Sequence, residues 1–294
     1  MTKAGIARRI AGTLFALASA GALAQSDVQF NFAEYQKYWA KFGDDANLPA
    51  CTKGARQSPI ALPASAQWAP VEPITRNYAP YPASNDKLLL INNGHTLELV
   101  LDPEEYRPAK PGKESLFEKL GEKRMKELRA NPPPVRGYRR GYGSFKVLQL
   151  HFHAPSEHQL DRTRYPMEMH IVHEGPEGLS VMAVFLTGGP EEADHPLEPI
   201  LGFKTNLQPL DTKDQPVLAI DRQKVNLDRL VPPWMYRQYL GSLTTPKCTE
   251  NVTWIVFNRP TVVPQRLIDR FRAHYANNAR ALQPLNNRPV VAPQ

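Results

Sequence analysis

The stretch from Gln149 to His173 constrains this chain more than any other, because five of its eight histidines fall inside it. It reads Gln149-Leu-His-Phe-His153-Ala-Pro-Ser-Glu-His158 and, after a short gap, Met167-Glu-Met-His-Ile-Val-His173. In a strand, alternate residues share a face. Gln149, His151 and His153 then point one way, with Leu150 and Phe152 behind them. Glu168, His170 and Val172 likewise share a face, with Met169, Ile171 and His173 behind. Paired as antiparallel strands, the two segments bring His151, His153 and His170 to one point. Three neutral imidazoles with an open fourth position are the ligand set of a catalytic zinc. The same register sets Gln149 beside His151 and Glu168 beside His170, where each can hold a ligand's second nitrogen. The competing reading is a polar stripe in which imidazoles satisfy one another on a half-buried sheet.

Upstream, Lys3, Arg8 and Arg9 precede an apolar run from Ile10 to Ala20 and a small-x-small site, Ala22-Leu23-Ala24. That order is a secretory signal peptide over residues 1–24, too short for a comfortable membrane span. Its removal leaves 270 of 294 residues and lowers the formal charge from +7 to +4. Such a mild balance gives no reason to propose a nucleic-acid partner, and no later stretch is long and apolar enough to span a membrane. Cys51 and Cys248, the two cysteines, both lie in the exported part, which predicts one disulfide rather than two buried thiols. Closing so long a loop contributes up to about 4–5 kcal/mol on the loop-entropy argument.

The rest of the chain reads as strands with scattered prolines. Phe30, Phe32, Tyr35 and Trp39 suggest an N-terminal arm packed on the body. Residues 88–101 read as two strands about Asn92-Asn93-Gly94, a turn signal. Further strands are expected at 145–153, 167–173, 179–186 and 252–257, with a short polar strand region at 217–227. Residues 102–143 break the pattern: Leu116, Phe117, Leu120, Met125 and Leu128 sit at near-helical spacing before Pro132-Pro133-Pro134. A second helix is expected over 264–275, with Thr261 as its cap. These elements predict a mainly β (α+β) fold, a single domain over 25–294 around a large, mostly antiparallel twisted central sheet.

Six motifs in order, Arg56-Gln-Ser-Pro-Ile60, Asn92-Asn-Gly-His95, the two histidine segments, Gly241-Ser-Leu-Thr-Thr-Pro246 and the run from Asn278 to Arg288, together resemble the alpha-class carbonic anhydrases of the bacterial exported type. The similarity spans nearly all of the mature chain except 102–143. It implies zinc-dependent reversible hydration of carbon dioxide to bicarbonate and a proton by attack of zinc-bound hydroxide. By the family's pattern, His151, His153 and His170 are the zinc ligands, and Gln149, Glu168 and the Asn278 carbonyl orient them. Thr244 would position the nucleophile, Glu157 would hold the Thr244 hydroxyl, and His95 would carry the proton away. Val172, Val181, Leu243, Thr245, Val252 and Trp254 would form the wall on which carbon dioxide sits.

The resemblance also leaves residues outside these roles. His158 and His173 are expected to be structural, His195 and His274 exposed, and Ser156 lacks a nucleophile elbow around it. Lys247 stands where the family has a second proline. Since a cis bond costs a non-proline residue about 2.5–4 kcal/mol, the Pro246–Lys247 bond is expected to run trans. Phe30-Asn-Phe32 stands in place of the family's Trp-x-Tyr. The 102–143 excursion could cover the site's rim or a homodimer interface. A catalytically silent relative, binding partners through 102–143, is the alternative function. Localisation in the periplasm or outside the cell follows from the signal peptide.

Overall fold

The computed structural model describes residues 49–69, 71, 74–78, 87–92, 96–101, 137–140, 143–202, 217–221, 224–233 and 235–293. The expected signal peptide, the aromatic N-terminal arm, the Asn93-Gly94 turn, His95 and the helix at 114–129 lie outside these residues. In chain order the first elements are α1 (Pro49–Lys53), β1 (Ala61–Leu62), β2 (Gln67–Trp68), β3 (Ile74–Asn77), β4 (Lys87–Asn92) and β5 (Leu97–Val100). Next come β6 (Gly137–Arg140), β7 (Gly143–His153), β8 (Gln159–Leu160), β9 (Met167–Gly175), β10 (Gly178–Gly189) and α2 (Glu198–Leu201). The last are β11 (Val217–Asp221), β12 (Tyr236–Ser242), β13 (Glu250–Phe257), β14 (Thr261–Pro264), α3 (Gln265–His274) and β15 (Val291–Ala292).

One sheet dominates, in the order β11-β4-β5-β7-β9-β10-β13-β12-β15-β2, with β14 beside β10 and β6 linking β3 to β7. Most neighbours are antiparallel, as the alternation predicts, but β10 runs parallel to both β13 and β14. Burial on both faces places the sheet in the middle of the molecule: β9 and β10 are buried over most of their length. On one face Leu99, Leu150, Phe152, Met169, Ile171 and Met182 pack under α3 through Leu267, Ile268 and Phe271. On the other, Leu148, Val172, Val181, Ala183, Tyr239, Val252 and Trp254 form a second apolar layer. Strands with apolar residues on both faces are held from both sides, which makes the central strands a rigid platform.

Three local expectations change. Thr261 does not cap the C-terminal helix: it lies on β14, its hydroxyl donates to Leu230 O at 3.0 Å, and Pro264 stands at the cap position with no side-chain cap. The pairing of β14 with β10 claims that segment for the sheet. Of the polar region at 217–227, Val217–Asp221 is strand, and its last residue opens Leu227–Arg229, a 3-10 turn capped by Asn226. His195 is buried, not exposed, because its Nδ1 accepts the Leu197 N–H at 3.2 Å where the chain enters α2.

Candidate metal centre

The three histidines stand on two adjacent strands, β7 and β9. In the antiparallel pairing of β7 with β9, His151 stands opposite His170 and His153 opposite Glu168. Directly opposed residues share a face, so the three histidines meet as their alternation predicts. Their ring centroids are 4.6 to 5.2 Å apart. Together they offer ligand atoms that all lie within 4.8 Å of one another.

Each ring has one nitrogen already engaged. His151 Nδ1–H donates to Gln149 Oε1 at 2.8 Å, His153 Nδ1–H to the Asn278 backbone carbonyl at 3.0 Å, and His170 Nε2–H to Glu168 Oε1 at 2.8 Å. A neutral imidazole that donates from one nitrogen presents a lone pair on the other. That leaves Nε2 of His151 and His153 and Nδ1 of His170 as acceptors. Nε2 of His153 is buried with no hydrogen-bond partner, a position that native structures rarely leave unfilled. Burial holds the pKa of His151 well below its ordinary value, helped by its two imidazole neighbours, and burial lowers that of His153 although Glu157 opposes it. Ligands that are neutral at pH 7 need not release protons to coordinate. The donor set, three imidazole nitrogens with second nitrogens fixed, fits zinc.

Around this centre a polar chain extends into the second apolar layer. Glu168 is fully buried, and besides His170 it accepts the Nδ1–H and the backbone N–H of His158 at 2.7 and 2.8 Å. Burial alone would raise the Glu168 pKa, but His158 and these hydrogen bonds bring it well below the carboxylate range. His158 Nε2 lies 2.7 Å from the Tyr239 hydroxyl, which reaches Ser58 Oγ at 2.8 Å. His158, Glu168 and His170 also cluster closely enough to hold a metal. Their facing atoms are consumed by hydrogen bonds to one another, so His158 is structural, as expected. His173 faces the opposite side of the sheet, 2.6 Å from the Tyr78 hydroxyl, and burial lowers its pKa to about 3.

Thr244 and Glu157 are both buried, but the hydrogen bond expected between them is not formed. Glu157 Oε1 accepts the Arg280 backbone N–H at 2.8 Å, and Oε2, without a hydrogen-bond partner, lies 3.9 Å from His170 Nδ1. Val172, Val181, Val252 and Trp254 are buried in one apolar layer with Leu243 packed against it, and Thr245 is half-buried beside them in the chain. Asn278 uses its backbone as expected. Its side chain also accepts the Ala154 N–H at 2.7 Å and donates to Phe152 O at 3.0 Å.

Cys51 and Cys248 form the expected disulfide, spanning a sequence separation of 197. The Pro246–Lys247 peptide is cis, not trans. The surroundings set this turn: Cys248 N–H donates to Thr245 O at 2.8 Å, and the disulfide ties the next residue down. Tyr239, Ser58 and Arg280 carry the site's outer hydrogen bonds, yet no spacing rule singles them out. Ser58 and Arg280 do lie inside two of the six motifs. Tyr239 shares the inward period of β12 with Arg237 and Gly241, a weak signal.

The description "eukaryotic-type carbonic anhydrase" matches residues 34–294 of the chain. A carbonic anhydrase from Nostoc sp. is 30% identical over 269 residues, covering 87% of this chain and 81% of the relative. One from Pectobacterium carotovorum is 28% identical over 258 residues, covering 86% of each. Among solved structures, the Photobacterium profundum alpha-carbonic anhydrase aligns with a TM-score of 0.62 at 27% identity, over 86% of this chain and 95% of that one. The alpha-carbonic anhydrase from Thermovibrio ammonificans, in complex with the inhibitor sulfanilamide, gives 0.59 at 30% identity over 86% and 94%.

Proposed function

Because the chain belongs to the eukaryotic-type, alpha-class carbonic anhydrase family and is a carbonic anhydrase acting on carbon dioxide and bicarbonate, we propose that it works through zinc held by His151, His153 and His170. The observation that carries this reading is the engagement of one nitrogen on each ring, which aims the other three at a single point. Zinc bound there supplies a nucleophile at neutral pH by lowering the pKa of a water to about 7, against about 15.7 in bulk, a value that belongs to carbonic anhydrases as a class and is not deduced from this chain.

The residues then divide the work. Gln149, Asn278 and Glu168 hold the three rings in one tautomer and one orientation. Val172, Val181, Leu243, Val252 and Trp254 offer an apolar wall, which receives uncharged carbon dioxide and gives charged bicarbonate no hydrogen bonds. Thr244 and Glu157 are assigned the orientation of the attacking oxygen, a positioning effect, and Thr245 joins the wall. His95 is assigned the relay of the product proton to solvent, a role suited to an imidazole titrating near pH ~6.5.

Purified protein loaded with one equivalent of zinc is expected to accelerate carbon dioxide hydration in a stopped-flow indicator assay. His170→Ala is expected to lose at least about a hundredfold. Zinc-loaded protein with no activity, or an unaffected His170→Ala, would overturn the proposal. We also assign residues 1–24 to a cleaved signal and the mature enzyme to the periplasm or the exterior. The disulfide supports an oxidising compartment, and no helix among the described residues is long and apolar enough to cross a membrane. A mature protein whose N-terminus is not Gln25 would contradict that cleavage.

A further inference from the structure

Several buried charged or titratable groups among the described residues have evident structural partners. Arg237 reaches Asp161 and the Ala64 carbonyl, Arg288 is spent on backbone carbonyls, and His173 lies behind the sheet. Glu98 differs in where it stands. It is only 7% exposed, and on β5 it is paired directly opposite His151. Leu97 and Leu99 on either side pack on the large cluster behind the sheet, so the alternation turns Glu98 to the metal-centre face. One cross-strand row therefore reads Ile91, Glu98, His151, His170, Ala183. An acidic residue is thus built into the same row as two of the candidate ligands, and none of the roles assigned above uses it.

We infer that Glu98 is a specificity-determining residue of this site, a fixed negative charge that disfavours anions and favours the neutral substrate. The inference rests on the zinc-centred reading given above. A dication held by three neutral ligands attracts any small anion, including the product. A carboxylate carried opposite His151 on the neighbouring strand, whose backbone lies about 4.8 Å away, works against that attraction without affecting an uncharged molecule. Two like charges about 10 Å apart at an effective dielectric constant of about 20 change an affinity by on the order of tenfold. Glu98 would thereby speed bicarbonate departure and weaken inhibition by simple anions.

The test is calorimetric titration of sodium azide into zinc-loaded protein, with circular dichroism to confirm folding. Glu98→Gln is expected to bind azide about tenfold more tightly than the wild type. Glu98→Asp, which keeps the charge, and Asp228→Asn, which removes an exposed carboxylate elsewhere, are expected to stay within about twofold. The KM for bicarbonate in the dehydration direction should fall in parallel for Glu98→Gln. Should that variant not fold, Glu98→Leu is the second neutral substitution, with the same expectation. Unchanged azide affinity in a folded neutral variant overturns the inference, as does an equal gain in Asp228→Asn. If the wild type binds zinc and hydrates carbon dioxide while Glu98→Gln leaves azide unaffected, only this inference fails. If the wild type takes up no zinc, both fail.

Discussion

Replacing Glu168 by Gln tests the site at its most connected residue. The carboxylate is fully buried and accepts three hydrogen bonds: His170 Nε2–H and His158 Nδ1–H on Oε1, and the His158 backbone N–H on Oε2. A glutamine is nearly isosteric but has one acceptor oxygen and one NH2 group. If its oxygen faces the two imidazoles, its NH2 meets the His158 N–H donor to donor. If it flips, both imidazole protons lose their acceptor. Either way at least one buried polar group is left unpaired, at about 1–3 kcal/mol, and charge-assisted bonds become neutral ones. A metal held by His170 would feel the same change, since loss of an outer partner of a ligand histidine costs about 10–100-fold in affinity. Competition against a chelator measures the zinc dissociation constant, and urea unfolding of metal-free protein measures stability. Zinc affinity within about twofold of wild type, in a folded variant, would refute the argument that Glu168 orients His170.

Other buried groups give tests of their own. The His173 ring is neutral when folded down to about pH 3 but charges near 6.5 when unfolded. The unfolded chain therefore binds the extra proton between those values, and metal-free protein should lose stability as pH falls from about 6.5 towards 3, by at most about 4–5 kcal/mol from this residue. His173→Gln should flatten that slope in urea unfolding across the range. Reducing the Cys51–Cys248 disulfide, or replacing both cysteines by Ser, should destabilise the protein by up to about 5 kcal/mol, read as a lower unfolding midpoint. The Arg280 guanidinium donates to Gln57 Oε1, Ser58 O and Cys51 O at 2.7 to 3.1 Å. Arg280→Leu strands those acceptors and should cost about 3 kcal/mol or more in thermal or chemical unfolding, and a loss below about 1 kcal/mol would show that they find other donors.

The candidate metal centre was legible because its residues obey a period of two on neighbouring strands, and antiparallel register converts that period into proximity. Glu98 obeys the same period, with Leu97, Leu99 and Leu101 alternating with Thr96, Glu98 and Val100, although the sequence reading did not single it out. What stayed hidden depends on contacts between segments far apart in sequence. The parallel pairing of β10 with β13 and β14 has no local signature, so Thr261 looked like a helix cap when it belongs to the sheet. The burial of His195 comes from the geometry of the chain at Leu197, inside a surface run containing Glu191, Glu192 and Asp194 that reads as exposed. The cis bond before Lys247 lies in a turn tied through Cys248 to a residue 197 positions away.

The extent of polar burial behind the histidines bears on why Glu168 is shared. Were stability the only demand, apolar residues of similar volume at His158, Tyr239 and Ser58 would serve as well, since buried charged networks seldom gain net stability. The network does something an apolar layer would not. Glu168 accepts an N–H from His158 and from His170 at once, and His158 in turn meets Tyr239, whose hydroxyl reaches Ser58. With Glu168 ionised, both rings must donate to it. His158 then turns its Nε2 to the Tyr239 hydroxyl, and His170 is left with Nδ1 as its acceptor. Rotating or re-protonating any member leaves a buried group unpaired. The chain thereby selects one tautomer of His170, the one whose free nitrogen faces His151 and His153, before any metal arrives.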